Sequence, residues 1–466
     1  MIEIINYAGQ YEYEIHSLAK AFFPEEEIKV AAGRGEEADK SSLVFCFPDG
    51  TRKQLQVSLK DRDDLKRSLY LELSAFSGKK LPWGSLTGIR PVRLAMRRLD
   101  KGMSREDTIA AMKRDYLVSD EKAVLATDIA VREKKILSGL DRKGFSLYVN
   151  IPFCPTTCLY CSFTSNRVGK DRERVRTYLE ALYREIKAVG ELFSGRIPET
   201  VYIGGGTPTT LEASELEELI NRLGESFDLC KLKEFTVEAG RPDTITPDKL
   251  RVLKKNGVSR ISINPQTMNE KTLQVIGRRH TTEDVVRAFH EAREEGFDNI
   301  NMDLILGLPG ESSDDVGYTL SGVLKLDPDN LTVHSLAVKR ASAMRELIEE
   351  RGFFLTGDTA RMMDLAIEKT AGAGLFPYYL YRQKNMSGNL ENTGFAKEGK
   401  QGIYNILINE EVSDIAALGA GAISKTVDGD GTCRRSANYK MLDQYIANAD
   451  EMGLRKEKLF AGKWLT

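Results

Sequence analysis

Residues 146–161, SLYVNIPFCPTTCLYC, decide the first prediction about the fold, because a short strand pattern runs directly into a group of cysteines. Apolar residues at 147, 149 and 151 alternate with Tyr148 and Asn150, which is the pattern of a β-strand with one buried face. The cysteines of the following loop are Cys154, Cys158 and Cys161. The stretch therefore predicts a buried strand that delivers three thiols to one end of a sheet.

Composition predicts a globular protein with two or three ordinary cores, since 41% of the 466 residues are apolar and 29% are charged. The balance of 67 Lys and Arg against 69 Asp and Glu argues against nucleic-acid or anionic-membrane partners. No apolar run approaches the roughly 20 residues of a membrane-spanning helix, and the acidic start does not resemble a secretory signal. We therefore expect a cytoplasmic protein that binds neither nucleic acid nor membrane.

The cysteine group favours an iron–sulfur cluster over zinc. A closed zinc site takes four Cys or His ligands, and no second cysteine pair and no histidine follows the group closely. Three thiolates can hold three irons of a [4Fe-4S] cluster, which leaves the fourth iron open to a substrate or cofactor. The remaining cysteines, interpreted as core residues without a role, are Cys46, Cys230 and Cys433.

Short β-rich runs and amphipathic helical patterns alternate downstream of the cysteines. The predicted strands are 146–151, 200–204, 234–239, 259–264, 299–306 and 331–337. Six such repeats predict an α/β fold, a partial, open (β/α)6 barrel of parallel strands. In barrels of this kind the reactive groups lie at the carboxyl ends of the strands.

The rest of the chain predicts three further segments around the barrel of residues 144–345. Residues 1–83 predict a small α+β domain with a helix near 11–22, a hairpin turning at Asp49-Gly50 and a helix from 61 to 76. Residues 84–143 predict a helical connector. Residues 346–466 predict a C-terminal α/β domain that covers the barrel mouth.

Polar residues end several predicted strands among apolar neighbours. The second strand ends in GGGTPT (204–209), and the next strands end near Glu238, Gln266 and Asp303, with Arg278 in a loop between the last two. Glycine lets a backbone approach a ligand closely. One such residue is usually structural, but several at successive strand ends are better explained by a polar, zwitterionic ligand across the barrel mouth.

These motifs resemble the radical S-adenosylmethionine (SAM) superfamily and, within it, the oxygen-independent coproporphyrinogen III dehydrogenases. YVNIPFC (148–154) and GGGTPT are similar to that family's motifs, and the resemblance runs from about 144 to 423. LTGIRPVRLA (86–95) and YRQKNMSGNLEN (381–392) resemble its HemZ branch. The resemblance implies a radical SAM barrel in which SAM takes the place of a fourth thiol.

The resemblance also implies residue roles. Cys154, Cys158 and Cys161 hold the [4Fe-4S] cluster. Residues expected to contact the cluster-bound SAM are Tyr148, Gly206, Glu238 and Ile423. Residues expected to contact a second SAM, or the adenosyl end of the first, are Tyr160, Thr207, Gln266, Arg278, Asp303 and Ala337. Gly204 and Gly205 complete the cofactor-binding set, and the catalytic residues are Tyr148 and Gln266.

The implied reaction is reductive cleavage of SAM to a 5′-deoxyadenosyl radical, followed by oxidative decarboxylation of coproporphyrinogen III propionates to vinyl groups. It implies a tetrapyrrole substrate and an electron donor such as flavodoxin or ferredoxin. Candidate anchors for the substrate carboxylates are Arg340, Arg382 and Lys384.

Two positions keep alternatives open. The decarboxylating relatives have Cys where this chain has Phe163 and His where it has Asn150. Phe also occurs in related haem chaperones, but their His-Asn-x-x-Tyr-Trp stretch is missing, since the nearest run, residues 402–405, lacks both His and Trp. The alternatives are therefore a haem-binding transfer protein and another radical SAM reaction on a tetrapyrrole, such as haem-opening methyl transfer.

Overall fold

The largest sheet of this computed structural model has eleven strands and lies in the second of two units. The first unit comprises Met1–Lys134 and Leu380–Glu391, and the second comprises Lys135–Tyr379 and Asn392–Thr466. The structure describes residues 1–33, 41–58, 60–88, 90–141, 144–162, 165–168, 172–337, 344, 358–383, 390–429, 431–461 and 463.

The first unit contains a small sheet and five helices within its described residues. Its strands are β1 (Ile2–Asn6), β2 (Ile28–Ala32), β3 (Ser42–Cys46) and β4 (Arg52–Gln56). The helices are α1 (Glu12–Phe22), α2 (Arg62–Ser77), α3 (Pro91–Asp100), α4 (Arg105–Tyr116) and α5 (Asp120–Leu137), whose last residues fall in the second unit. The strand order is β2-β1-β3-β4. Among these described strands, β1 and β2 pair parallel, and the other two pairs are antiparallel.

Local sequence signals explain the elements of this unit. The predicted hairpin is confirmed: β3 and β4 pair antiparallel, Gly50 has φ +84°, and the Asp49 carboxylate accepts a hydrogen bond from the Thr51 N–H at 2.8 Å. Asp61 caps α2 by accepting from the N–H groups of residues 63 and 64. Apolar side chains of α1, α2 and the sheet, such as Phe22 and Phe45, form the core.

The second unit is an α/β fold whose central strands are parallel. Its first strands are β5 (Phe145–Ile151), β6 (Phe153–Cys154), β7 (Asn166–Arg167), β8 (Pro198–Gly205), β9 (Glu234–Glu238), β10 (Arg260–Ser262), β11 (Ile300–Leu306) and β12 (Asn330–Ser335). The helices between and after them are α6 (Glu173–Leu192), α7 (Ala213–Ser226), α8 (Pro247–Lys255), α9 (Glu270–Val275), α10 (Thr282–Glu294), α11 (Ser313–Lys325) and α12 (Thr359–Gly372).

Strands β5, β8, β9, β10, β11 and β12 are neighbours in chain order and run parallel, as the six predicted repeats require. The helices between these strands are amphipathic with one buried stripe, and α10 and α11 begin at capping boxes opened by Thr281 and Ser312. The predicted α/β class with a partial, open six-strand barrel is confirmed. The parallel arrangement brings every carboxyl strand end to one edge.

The chain after α12 adds strands to both edges of the same sheet. These elements are β13 (Phe376–Tyr381), β14 (Asn392–Ala396), α13 (Ile403–Glu410), β15 (Asp414–Leu418), β16 (Ile423–Val427), β17 (Cys433–Ala437), α14 (Leu442–Ala447) and α15 (Ala449–Phe460). β14 pairs antiparallel with β12, whereas β15 pairs parallel with β5 and carries β16 and β17. The predicted cover over the barrel mouth and the three boundaries between the four predicted segments stay predictions.

Two other expectations concern single features. Among the described helices, none has the length and apolar character needed to cross a membrane. The interpretation of Cys230 as a core residue is wrong, because it is exposed in a turn beside Asp228, while Cys46 and Cys433 are half-buried.

Glu185 on α6 is the centre of a buried network that holds the last helices against the sheet. Its carboxylate accepts hydrogen bonds from the Tyr445 hydroxyl at 2.6 Å, the Asn438 amide at 2.8 Å and the Gly419 N–H at 2.8 Å. It also forms an ion pair with Lys456, and both side chains are at most 1% exposed. A buried pair of this kind depends on both partners being present.

We expect Lys456→Met to lower the free energy of unfolding by about 3–5 kcal/mol, because it leaves the Glu185 charge buried and uncompensated. Urea denaturation measures the change. The control is Arg222→Met, which removes exposed pairs with Glu218 and Glu225 and should have a much smaller effect, because water and salt screen exposed pairs. Equal effects of the two substitutions would contradict the role of this network.

Candidate active site

The three clustered cysteines lie in the loop that leaves the carboxyl end of β5. Cys154 is held in the short pair of β6 with β7, and the Cys161 N–H donates to the Cys158 carbonyl at 3.1 Å. The Leu159 N–H donates to the Ile276 carbonyl at 3.1 Å, which fastens the loop to the end of α9. The backbone therefore fixes where the thiols can lie.

Each of two thiols has a hydrogen-bond donor beside it. The Thr207 hydroxyl lies 3.5 Å from Cys154 Sγ, and the Arg241 guanidinium lies 3.7 Å from Cys158 Sγ. Burial raises the pKa of the Cys154 thiol, and the hydrogen bond from Thr207 acts in the opposite direction. Donors at these positions would stabilise thiolates, which are the form that binds metal.

The donor set is compatible with an iron–sulfur cluster. Within the described residues, no three His, Cys, Asp or Glu side chains converge as ligands of one ion would. Each thiolate of a [4Fe-4S] cluster binds a different iron, so its three sulfurs need not converge on one point. Three thiols on one fixed loop, two of them with donors, meet that requirement.

The glycines at the end of β8 permit close contact with the cysteine loop. A Cβ on Gly206 would lie 2.5 Å from the Phe153 carbonyl oxygen, and one on Gly205, where φ is +110°, would lie 2.0 Å from Asn150 Oδ1. A Cβ on Gly204 would meet the Glu238 carboxyl group at 2.9 Å. Any side chain at these positions would separate β8 from its neighbours.

Glu238 ends β9 beside a group of stacked tyrosines. Its carboxylate accepts a hydrogen bond from the Tyr202 hydroxyl at 2.6 Å. Removal from bulk water raises the pKa of Glu238 to about 7, although the Tyr202 hydrogen bond acts to lower it. The rings of Tyr148, Tyr202 and Tyr404 lie nearly parallel, with centroids 4.6–6.2 Å apart. The three stacked rings therefore lie next to a carboxyl group that titrates near neutral pH.

Gln266 has a backbone conformation that is rare for its residue type. Its φ is +69°, its N–H donates to the Asp303 carbonyl at 2.9 Å, and its carbonyl accepts from the Ile305 N–H at 3.0 Å. The side chain is buried, and its Oε1 has no hydrogen-bond partner among the described residues. Such strain and such an orphaned acceptor are typical of a binding site.

Asp303 lies on β11 beside Gln266. The Asn301 amide donates to it at 2.7 Å, and His334 Nε2 lies 3.8 Å from its other oxygen. Burial alone would raise the pKa of Asp303, but the contacts with His334 and Asn301 outweigh burial and lower it. Asp303 therefore offers a negative charge to this face of the sheet.

Arg278 connects the strand ends to the cysteine loop. Its guanidinium donates to the Asn264 carbonyl at 2.7 Å, the Gly240 carbonyl at 3.3 Å and the Tyr160 hydroxyl at 3.0 Å. Tyr160 lies between two cysteines in the sequence, so this contact joins the loop to the third and fourth barrel strands. Burial raises the pKa of Tyr160, which keeps its hydroxyl protonated.

A cavity of about 520 Å³ is lined in part by residues of the cysteine loop. Its walls include Thr156, Thr157, Arg278 and His280, but not Glu238. His280 is buried, and neither ring nitrogen has a partner among the described residues. Burial lowers the pKa of His280 to about 4, so the imidazole is neutral at physiological pH.

The other predicted site residues are less closely tied to this group. Ala337 is half-buried after β12, and Ile423 is 52% exposed at the start of β16. Arg382 belongs to the first unit, where it is buried and donates to the carbonyl groups of Leu86 and Gly88 at 2.7 and 3.4 Å. Three residues that the sequence analysis singled out, Phe163, Arg340 and Lys384, lie outside the described part of the chain.

Sequence reasoning missed Tyr202, Tyr404 and Arg241. Tyr202 could have been found, because it lies two residues before Gly204 and therefore on the same strand face. Tyr404 comes from α13, about 200 residues later in the chain, and no local pattern connects it with β8. Arg241 carries a weak signal as a cation directly after a predicted strand end.

Comparisons with known proteins agree with this geometry. The sequence pattern of the radical SAM superfamily matches residues 148–321. The oxygen-independent coproporphyrinogen-III oxidase-like protein HemZ of Bacillus subtilis (strain 168) is 43% identical, over 87% of this chain and 82% of HemZ. The heme chaperone HemW of the same organism is 33% identical, over 66% of this chain and 76% of HemW.

One solved structure extends the agreement to the fold. The coproporphyrinogen III oxidase HemN of Escherichia coli, a radical SAM enzyme, superimposes with a TM-score of 0.57 at 26% identity, over 70% of this chain and 73% of HemN. The chain therefore belongs to the radical SAM superfamily and, within it, to the oxygen-independent coproporphyrinogen III oxidase family that includes HemZ.

Proposed function

We propose that this protein is a radical SAM enzyme that converts two propionate side chains of coproporphyrinogen III to vinyl groups without oxygen. The observation that carries the proposal is the junction of the three-cysteine loop with the polar strand ends, through the contacts Thr207 to Cys154 and Arg278 to Tyr160. Membership of the superfamily implies a [4Fe-4S] cluster and SAM as cofactors.

Cys154, Cys158 and Cys161 would hold three irons of the cluster, and SAM would take the open position through its amino and carboxylate groups. Cluster and SAM together supply a 5′-deoxyadenosyl radical, which removes a hydrogen atom from the substrate. The hydrogen-bonded backbone of the loop would hold the three thiolates beside the strand ends, and the contact of Tyr160 with Arg278 would support that arrangement.

The strand-end residues would bind and orient SAM. The Gly206 N–H donates to the Ile151 carbonyl at 2.9 Å, so the group of Gly206 that would bind the amino group of the ligand is its own carbonyl. Glu238 would accept a second hydrogen bond from that amino group. The Gln266 Oε1 would accept a hydrogen bond from the adenosyl end. The site would hold one or two SAM molecules. Tyr148 would pack against the ligand and exclude water.

The substrate half of the reaction needs cationic anchors and an exit for electrons. Each propionate would lose a hydrogen atom, carbon dioxide and one electron, which passes to a one-electron acceptor. A flavodoxin or ferredoxin would supply the electron that cleaves SAM. Arg382 is not among the proposed carboxylate anchors, because its guanidinium is buried against two carbonyl groups of the first unit.

A haem-binding transfer function is the second candidate, and the likeness to the heme chaperone HemW favours it. Such a protein needs an axial ligand for the haem iron, most often histidine. His280 is neutral and has no hydrogen-bond partner among the described residues, but it is only 2% exposed. Haem ligation by His280 would therefore require the loop after α9 to move.

The cluster assignment predicts that anaerobically reconstituted protein binds about four irons and that Cys158→Ala abolishes both the cluster and SAM cleavage, because two thiolates cannot hold it. Iron analysis and visible spectroscopy measure the first effect, and deoxyadenosine formation measures the second. The control is Cys230→Ala, which changes an exposed cysteine. Stoichiometric zinc without iron in the wild type would contradict the assignment.

The SAM assignment predicts that Glu238→Gln weakens SAM binding by about 1.5–3 kcal/mol and leaves the cluster spectrum unchanged. Because the pKa of Glu238 is about 7, the ionised acceptor is lost as pH falls below 7, and wild-type affinity should fall about tenfold between pH 8 and pH 6 from this group.

SAM itself titrates in the same way with wild type and with Glu238→Gln. The difference between their two pH profiles of SAM affinity therefore reports only the Glu238 carboxyl group. Tyr202→Phe removes a hydrogen bond that lowers the pKa of Glu238, so it should move the midpoint to higher pH. Equilibrium dialysis with labelled SAM measures these affinities. Identical pH profiles in wild type and Glu238→Gln would show that Glu238 does not contact SAM.

The decarboxylase assignment predicts that coproporphyrinogen III accelerates deoxyadenosine formation and loses one and then two carbon dioxide masses, as followed by mass spectrometry. Haem should bind weakly, without a sharp His-ligated spectrum. The opposite result, stoichiometric haem binding that is lost in His280→Ala together with no mass change in the porphyrinogen, would favour the transfer protein.

A further inference from the structure

Arg241 makes contacts that the assigned roles do not use. It follows the end of β9 by three residues and is 3% exposed. Its Nε and one terminal nitrogen donate to the two carboxylate oxygens of Asp243, at 2.9 and 2.8 Å. This two-point contact fixes the plane of the guanidinium and the direction of its remaining donors.

The other terminal nitrogen of Arg241 faces the cysteine loop. It donates to the Thr156 hydroxyl at 2.8 Å and lies 3.4 Å from the Thr156 carbonyl oxygen. The same nitrogen lies 3.7 Å from Cys158 Sγ. This nitrogen carries two hydrogens, so one can serve Thr156 while the other points toward the sulfur.

We propose that Arg241 is a positioning residue that raises the reduction potential of the cluster by donating to the Cys158 sulfur, with Asp243 setting how much of its charge the cluster experiences. The inference rests on the proposed role of Cys158 as a cluster ligand. Hydrogen bonds to ligand sulfurs and nearby net charge are two of the factors that set iron–sulfur potentials.

The sign of the effect follows from charge. Reduction adds one negative charge to a cluster that already carries three thiolates, so a cation and an N–H donor stabilise the reduced state more than the oxidised state. Asp243 is 23% exposed, and its negative charge opposes that of Arg241.

A purely structural role and an electrostatic role predict different results. If the pair only held the loop, removing either partner would disturb the cluster in the same way. If Arg241 sets the potential, Arg241→Gln removes a cation and a donor and lowers the potential. Asp243→Asn removes the opposing charge and raises it.

The experiment is an anaerobic redox titration of reconstituted protein, followed by visible and electron paramagnetic resonance spectra. We expect Arg241→Gln to decrease the equilibrium constant for cluster reduction about tenfold, which is about 59 mV for a one-electron couple. Arg241→Lys keeps the charge but cannot reproduce the two-point contact, so its downward shift should be smaller. Asp243→Asn should shift the potential upward.

The matched control is Arg293→Gln. Arg293 also pairs with an acid, Asp329, at 2.7 Å and donates to the carbonyl groups of Phe297 and Asp327, both at 3.0 Å, but it contacts no cysteine of the group. Its substitution should leave the potential unchanged. Any loss of general stability is thereby separated from an effect on the cluster.

Iron analysis of each variant distinguishes the possible failures. Unchanged potentials in the Arg241 and Asp243 variants, or shifts of the same sign, would overturn the inference. Loss of iron from all three variants would also overturn it, because the pair would then only hold the loop. Failure of wild type to bind iron would instead contradict the proposed function, which the Cys158→Ala comparison tests separately.

Discussion

The close approach between the end of β8 and the start of the cysteine loop is the constraint on which the site depends. Gly206 and Thr207 continue the hydrogen bonding of the sheet beyond its last strand residues, since their N–H groups donate to the carbonyls of Ile151 and Phe153 at 2.9 and 2.7 Å. A side chain on Gly206 would occupy the position of the Phe153 carbonyl. The same approach brings the Thr207 hydroxyl to Cys154 and leaves the following strand ends on one side of the loop. Without it, the thiols and the polar strand ends would not share a surface.

Buried polar and charged groups near the strand ends cost folding free energy, and burial of the apolar core offsets that cost. Arg260 is 1% exposed, and its Nε and one terminal nitrogen have no partner among the described residues. Glu238 carries a pKa raised to about 7, and Gln266 holds a strained backbone conformation. Each of these features opposes stability. Glu238 and Gln266 lie at strand ends that are proposed to bind SAM, and Arg260 begins the short strand β10 that lies between them in the sequence. Such a concentration of unfavourable local features is the usual mark of a site kept for binding.

Local sequence signals predicted the six parallel strands, the hairpin at Asp49-Gly50 and the cysteine loop, because each depends on periodicity or turn chemistry within a few residues. They could not predict that the last quarter of the chain would extend the barrel sheet at both edges. That pairing joins β15 to β5 across more than 260 residues, and Asp414–Leu418 carries the same apolar signal as any buried strand. The predicted site residues Glu238, Gln266 and Arg278 lie near the ends of neighbouring strands, as local patterns indicated, whereas Tyr404 and Arg241 make their contacts between distant segments.

The late arrival of β15 has a consequence for how the protein is made. β5, which leads into the cysteines, lies between β8 and β15 in the finished sheet. At a synthesis rate of about 5–20 residues per second, roughly 10–50 s separate the emergence of β5 from that of its second neighbour. During that interval β5 is an uncovered edge of a growing parallel sheet, and such edges are prone to pair with other chains. We therefore expect the edge of β5 to need cover from the chain's own early helices, or from another protein, during the same interval in which the thiols after β5 are accessible to solvent.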